Sequence, residues 1–230
     1  MKILAFDTTS LGLTVALLEN NILLEKISLN ESGKQAEMLI PLLEKILNNA
    51  ALRYENLDLI ATAKGPASFT GVRVGLACAK TLQLATKLPL LCFDSLAVIA
   101  YKHRTENGRI FVATDAQMGE FFIGEFFAKN GKVVQVAESR LARLEELSEI
   151  FFTDNFFLCG NAKKTIAQIL HDKNLSYKIS KNSLEEDVSS ADLIGLMAYE
   201  KFIADGRLYD SSENSNPVYL RAPKISVRKK

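Results

Sequence analysis

Histidine is scarce in this 230-residue sequence: His103 and His171 are the only two. Neither has a second His or Cys at ligand spacing, which argues against a metal site and against zinc-protease chemistry. With no Gly-x-Ser-x-Gly elbow either, a Ser-His-Asp or Cys-His mechanism is a poor fit, and both histidines read as ordinary surface residues. Cysteine is sparse too. Cys78, Cys92 and Cys159 are odd in number, scattered and set among apolar neighbours, which disfavours a disulfide framework and suits reduced, buried thiols in a cytosolic protein. Net charge is almost absent, with 28 Lys and Arg against 27 Asp and Glu, so no whole-chain field points to nucleic acid or to a membrane. Long apolar runs are missing as well. The first, 3–6, stops at Asp7, too early for a signal peptide, and no later one has the length to cross a bilayer. The expectation is a cytoplasmic, globular chain whose 48% hydrophobic content supplies a core.

What is present is a regular succession of strands and helices. Residues 2–6, 13–19 and 22–29 read as an antiparallel meander, with Asn20-Asn21 tolerating positive φ in the second turn. A helix near 35–47 follows, with Pro41 placed to kink it. Then come a strand at 57–63, a helix at 69–86, a strand at 90–93 and a helix at 95–102 capped by Asp94. After a polar stretch at 105–108 the order begins again: strands at 109–114, 121–127 and 133–137, a helix at 144–150, a strand at 156–158, a helix at 163–170, a short strand at 177–179 and a helix at 191–204 with Ser189 as cap. Asp7 closes the first strand of one half and Asp115 that of the other. The repeat is one of architecture rather than of residues. It gives an α/β chain of two lobes, 1–105 and 106–204, each a βββαβα-type mixed sheet flanked by helices, and a tail, 205–230, that packs back on them and ends basic.

The most informative stretch runs from Gly65-Pro66 to Gly75. Gly65-Pro66 breaks the strand before it, and Ser68 stands where an N-cap belongs. Gly71, Gly75 and Ala79 recur every four residues and lie on one face of the helix. Each glycine inside a helix costs about 1 kcal/mol against alanine, so two on one stripe imply a close neighbour. That neighbour is either another protein or the chain's own sheet, and the sequence alone leaves both open.

Two segments bear on phosphate binding. The loop at 65–71 opens a helix but lacks the Lys-Ser/Thr ending of a P-loop, so a structural turn is the better reading. Asp7-Thr8-Thr9-Ser10 lies between two strands, where hydroxyls and amides could hold a phosphate and the carboxylate a hydrated cation; the plainer alternative is a polar turn bonding its own backbone.

Taken together, two βββαβα halves with a hydroxyl-bearing turn resemble the actin, sugar-kinase and heat-shock-chaperone (ASKHA) superfamily, and four stretches narrow the resemblance. Ile3-Leu4-Ala5-Phe6-Asp7-Thr8-Thr9, the run from Gly65 to Gly75, Asp115-Ala116-Gln117-Met118-Gly119-Glu120 and Pro217-Val218-Tyr219-Leu220-Arg221 are similar to the TsaB (YeaZ) family of tRNA threonylcarbamoyladenosine-synthesis proteins. The resemblance implies a non-catalytic subunit that pairs with a larger paralogue, TsaD, joined by the ATPase TsaE, and that self-associates as a homodimer when TsaD is missing. It implies that tRNA is met only through the complex, that no cofactor is required by this chain, and that ATP or ADP belongs at the interface of the assembly. By the same correspondence Phe69, Gly71, Val72, Gly75, Leu76 and Ala79 are the partner-interface candidates, and Asp7, Thr8, Thr9, Ser10 and Asp115 a vestigial phosphate loop. Three positions depart from the usual pattern: Ala67 for Gly, Gln35 for His and Gln117 for Arg. The alternative is a small ASKHA kinase such as a type III pantothenate kinase, with the turn at 7–10 on phosphate and Asp115 as general base. The basic end, Arg221 to Lys230, adds a further option, a salt-dependent contact with tRNA.

Overall fold

The structure is a computed structural model; it describes all residues except 11, 32, 152–154, 172–174, 185, 206–214 and 222–230. The basic end beyond Arg221, and with it the tRNA contact considered for that end, lies outside the described residues.

The first lobe contains β1 (Lys2–Asp7), β2 (Leu13–Glu19), β3 (Ile22–Leu29), α1 (Gln35–Asn49), β4 (Leu59–Ala63), α2 (Phe69–Thr86), β5 (Leu90–Phe93) and α3 (Ser95–Lys102). The second contains β6 (Gly108–Asp115), β7 (Glu120–Lys129), β8 (Lys132–Arg143), α4 (Leu147–Ile150), β9 (Phe156–Cys159), α5 (Lys163–Leu170), β10 (Tyr177–Ile179) and α6 (Ala191–Asp205). The two sheets run β3-β2-β1-β4-β5 and β10-β9-β6-β7-β8. Read from their meander ends they have the same order. In each, the first strand pairs antiparallel with the second and parallel with the fourth: Ala5 opposes Ala16 and Ala61, and Phe111 opposes Glu125 and Leu158. The architectural repeat expected from the sequence is therefore present. Strand β8 is longer than expected, extending to Arg143, while β4 begins at Leu59 rather than 57.

Strand side chains alternate between two faces, and the first lobe uses both. Leu4 and Phe6 join the cluster beneath α1 and α2, which present Leu39, Leu43, Ile46, Val72 and Leu76. Ile3 and Ala5 join the opposite cluster, which is completed by Val98 of α3 and by Ala191, Ile194 and Ala198 of α6. In the second lobe Phe111 and Ala113 face α4 and α5, while Ile110 and Val112 face Leu96, Ile99 and Ala100 of α3.

The lobe boundary at 105/106 thus follows the sheets but not the helices. Helix α6, assigned by sequence to the second lobe, packs under the first sheet; α3, assigned to the first, carries a full apolar face against the second. Helix α3 is apolar on more than one side, because Val98 joins the cluster of the first lobe while Leu96, Ile99 and Ala100 join that of the second. A hydrogen bond from Tyr101 Oη to Glu200 Oε1 (2.6 Å) joins the two helices, and burial first, then the Glu200 carboxylate, push the Tyr101 phenol well above its ordinary range. Among the described residues no helix is long and apolar enough to cross a membrane.

Candidate functional site

Strand β1 ends in the turn Asp7-Thr8-Thr9-Ser10, and every hydroxyl of that turn is engaged within the chain. Thr8 Oγ1 donates to Gly71 O (2.7 Å), Thr9 Oγ1 to Asp7 Oδ1 (2.6 Å) and Ser10 Oγ to Ser189 O (3.0 Å). Asp7 Oδ1 also accepts the Thr9 amide at 2.7 Å. Asp7 and Thr9 bond within the turn, while Thr8 and Ser10 brace it against neighbouring elements.

The Thr8 bond explains the bare stripe on α2. A Cβ on Gly71 would lie 2.2 Å from the Thr8 carbonyl oxygen, and one on Gly75 would lie 2.4 Å from Thr8 Oγ1 and 3.5 Å from Thr62 Oγ1. The close neighbour is the chain's own first sheet. Gly71, Val72, Gly75, Leu76 and Ala79, named from the sequence as partner-interface residues, are buried against that sheet rather than on the outer face of the helix. The spacing signalled a close approach correctly; which body approaches was beyond it. Phe69 is half-buried, covered by the Arg73 guanidinium 3.6 Å above its ring and by the Tyr219 ring. The solvent face of α2 is made instead by Arg73, Ala77, Lys80 and Leu84, the last 71% exposed. Ser68 sits at the N-cap but its side chain makes no capping bond there. Asp94 does cap α3, accepting the amides of Leu96 (2.8 Å) and Ala97 (3.1 Å); burial, partly offset by those bonds, raises its carboxyl to about 6.

Between the lobes lies a cleft of about 510 Å³, walled by Thr9, Ser10 and the 66–69 loop on one side and by 114–118, Phe122 and Asn161 on the other. Asp115 lines it and is exposed; its Oδ1 accepts the Gln117 amide (2.7 Å), and its own amide donates to Asn161 Oδ1 (2.9 Å). Asp7 is buried behind Thr9. Its Oδ2 has no partner among the described residues, and neither has Ser189 Oγ, although that hydroxyl lies close enough to favour the carboxylate. Burial dominates and raises the Asp7 carboxyl above its usual range. Ser189, expected to cap α6, therefore faces Asp7, and the Ala191 amide is met by Thr14 Oγ1 of β2 (2.9 Å) instead.

The cation in the wall is Arg221, already bonded to the Glu120 carboxylate and to Gln117 O. The turn's hydroxyl protons are spent, and Asp115 brings a carboxylate to the wall. The Ala67 departure is harmless, because its φ lies outside the positive region.

A second polar cluster was not foreseen. His103 Nε2 lies 2.6 Å from Asp187 Oδ1, while Lys163 Nζ donates to Asp187 Oδ2 (2.7 Å) and to Asn182 O (2.7 Å), and the Gly160 amide also reaches Asp187 Oδ2 (2.9 Å). Asp187 and Lys163 are 0% and 1% exposed, and His103 is buried rather than a surface residue. Burial works against the Asp187 charge, but the bonds from His103 and Lys163 outweigh it and hold the carboxyl far below the ordinary range. The cluster pins the end of α3, the start of α5 and the approach to α6 together. It points inward and offers no ligand face.

Two lobes of this topology, joined by a pair of inner helices and divided by a cleft, define a protein of the actin-like ASKHA fold. Solved structures agree on the fold: YeaZ from Pseudomonas aeruginosa superposes with a TM-score of 0.76 at 24% identity over 95% of this chain and 99% of that one. A ROK hexokinase from Thermus thermophilus does so at 0.53 and 15% identity, over 90% and 100%. The model of the family described as "TsaD: tRNA N6-adenosine threonylcarbamoyltransferase" matches residues 30–206, more than half of the chain. The tRNA threonylcarbamoyladenosine biosynthesis protein TsaB of Bacillus subtilis is 33% identical over 151 residues, 65% of this chain and 66% of that protein's length. The chain belongs to the TsaB family, within the wider group of sequences that the TsaD model covers.

Proposed function

We propose that this chain is a non-catalytic subunit of a tRNA threonylcarbamoyladenosine-synthesis assembly, docking on a TsaD-type transferase with the ATPase TsaE as third member. The observation that carries this reading is the internal engagement of Thr8, Thr9 and Ser10 in a chain related to TsaB proteins. A fold that could cradle a phosphate at that turn here uses it to seat α2. The chain then needs no cofactor of its own; ATP or ADP binds at the joint surface of the assembly, tRNA is met through the partner, and the complex works in the cytoplasm. Asp7, Thr8, Thr9, Ser10 and Asp115 remain as a vestige of the phosphate site. The docking surface is the outward side of the first lobe, where α1 exposes Ile40 and Glu44 and α2 exposes Arg73, Lys80 and Leu84. The same surface pairs two copies when the partner is missing.

A reconstitution tests the reading. With purified TsaD, TsaE, ATP and the remaining substrates, modified adenosine in tRNA is expected to form only when this chain is added, and the chain is expected to elute with TsaD as a stoichiometric complex. Modification that ignores the chain, or phosphorylation of pantothenate by the chain alone, would overturn it.

A further inference from the structure

The segment 215–221 crosses the mouth of the cleft and is fastened on both banks. On the first lobe the Val218 amide donates to Lys64 O at 2.8 Å, the Tyr219 ring packs on Phe69 with centroids 5.1 Å apart, and Arg73 Nε donates to the Tyr219 hydroxyl at 3.1 Å. The Arg73 guanidinium also stacks 3.6 Å over the Phe69 ring, so Phe69, Arg73 and Tyr219 form one aromatic–cation cluster. On the second lobe Arg221 donates to the Glu120 carboxylate and, at 3.2 Å, to Gln117 O, while Leu220 packs on the inner core formed by Ile110, Phe122 and their neighbours. Arg143 shares Glu120 at 3.5 Å. Desolvation pushes the Glu120 carboxyl up, but the two arginines prevail and hold it below its ordinary range, charged in step with its role as an anchor. Tyr219, Leu220 and Arg221 are themselves part of the cleft wall.

Four consecutive residues, Val218 to Arg221, therefore join two bodies that otherwise meet through the α3–α6 pair and the polar clusters beneath the cleft. Two lobes flanking a cleft hinge readily unless a contact far from the hinge opposes it. A bridge across the open mouth has the longest lever arm against such motion. We propose that residues 215–221 form an intramolecular strap that holds the lobes closed and covers the cleft, with the Tyr219–Arg73 and Arg221–Glu120 contacts as its two fasteners. This goes beyond the proposed subunit role and stands independently of it.

Its signature is that release at one end loosens both banks. Amide hydrogen exchange of the full chain is compared for wild type, Tyr219→Ala, Arg221→Ala and the double variant. Each single change is expected to raise exchange by about ten-fold at both 67–69 and 116–118, with the double variant no faster than either and the amides of β1 and β6 unchanged. If each fastener serves only its own lobe, Arg221→Ala loosens 114–120 alone, Tyr219→Ala loosens 64–73 alone, and the double variant sums the two; that pattern, or no change in any variant, overturns the strap. Should an alanine variant fail to fold, Tyr219→Phe removes only the hydroxyl bond to Arg73, and a smaller rise on both banks, against a rise on one or none, decides in the same way.

Discussion

After its first strand each lobe turns on an aspartate. Asp7 Oδ1 accepts the Thr9 amide and Asp115 Oδ1 accepts the Gln117 amide, both at 2.7 Å. One aspartate is 1% exposed and the other lies open in the cleft wall. The difference comes from what lies over the turn. In the first lobe the 18-residue α2 is seated on Thr8 through Gly71 and Gly75. In the second, α5 has eight residues, and the close approach is made before it begins, where a Cβ on Gly160 would meet Ala113 O at 2.2 Å. The second lobe buries its charge elsewhere, in the Lys163–Asp187–His103 cluster. A shared strand order thus fixes where the turn is, while the length and small residues of the following helix decide whether its carboxylate is sealed.

Changes that separate the lobes follow in order of size. Asp187→Ala strands Lys163 in the second lobe without a counter-charge, and the loss is expected to be about 3–5 kcal/mol by urea midpoint at pH 7. Because the folded-state value of Asp187 is depressed, its contribution is complete above the unfolded carboxylate value near ~4 and fades as the pH falls through the folded value. The wild-type and variant midpoints should therefore converge in acid. In the first lobe Gly75→Leu drives a side chain into Thr8 and is expected to cost about 3 kcal/mol or to prevent folding, whereas Ala77→Leu on the exposed face changes stability by less than about 0.5 kcal/mol. A Gly75→Leu chain that stayed folded would return the stripe to the surface. The smallest effect sets the two aspartates against each other. Asp7→Asn replaces an unpartnered buried carboxylate oxygen by an N–H directed toward Ser189 Oγ, with an expected gain of about 1 kcal/mol at pH 7. The raised folded value of Asp7 means that the wild-type penalty grows as the pH rises from ~4 through that value, so the gain should vanish in acid. Asp115→Asn is expected to do nearly nothing at either pH.

The elements were largely legible because their signals are local. Alternation and capping placed α2, β5, α3 and α5 at the observed bounds, and Asp94 before an apolar run marked a cap that the structure contains. The turn at 7–10 was legible as two alternatives, but its hydrogen bonds to Gly71 and Ser189, 63 and 179 residues away, were not. The same distance in sequence hid the rest. Nothing near His103 or Lys163 in the sequence marks them as buried, because their shared partner Asp187 lies 84 and 24 positions on. The glycine stripe demanded a neighbour but carried no sign of whose backbone it was, since an internal crossing and a docking surface ask for the same small side chains. Helix α6 read as apolar, yet its place under the first sheet depends on topology.

Helix α2 turns its bare side inward, and in the proposed assembly its outer side faces the partner. The most direct measurement is light scattering after gel filtration of Leu84→Glu mixed with TsaD. Unchanged urea stability with at least about ten-fold weaker complex formation is the expected result. A complex as tight as that of the wild-type chain would contradict it.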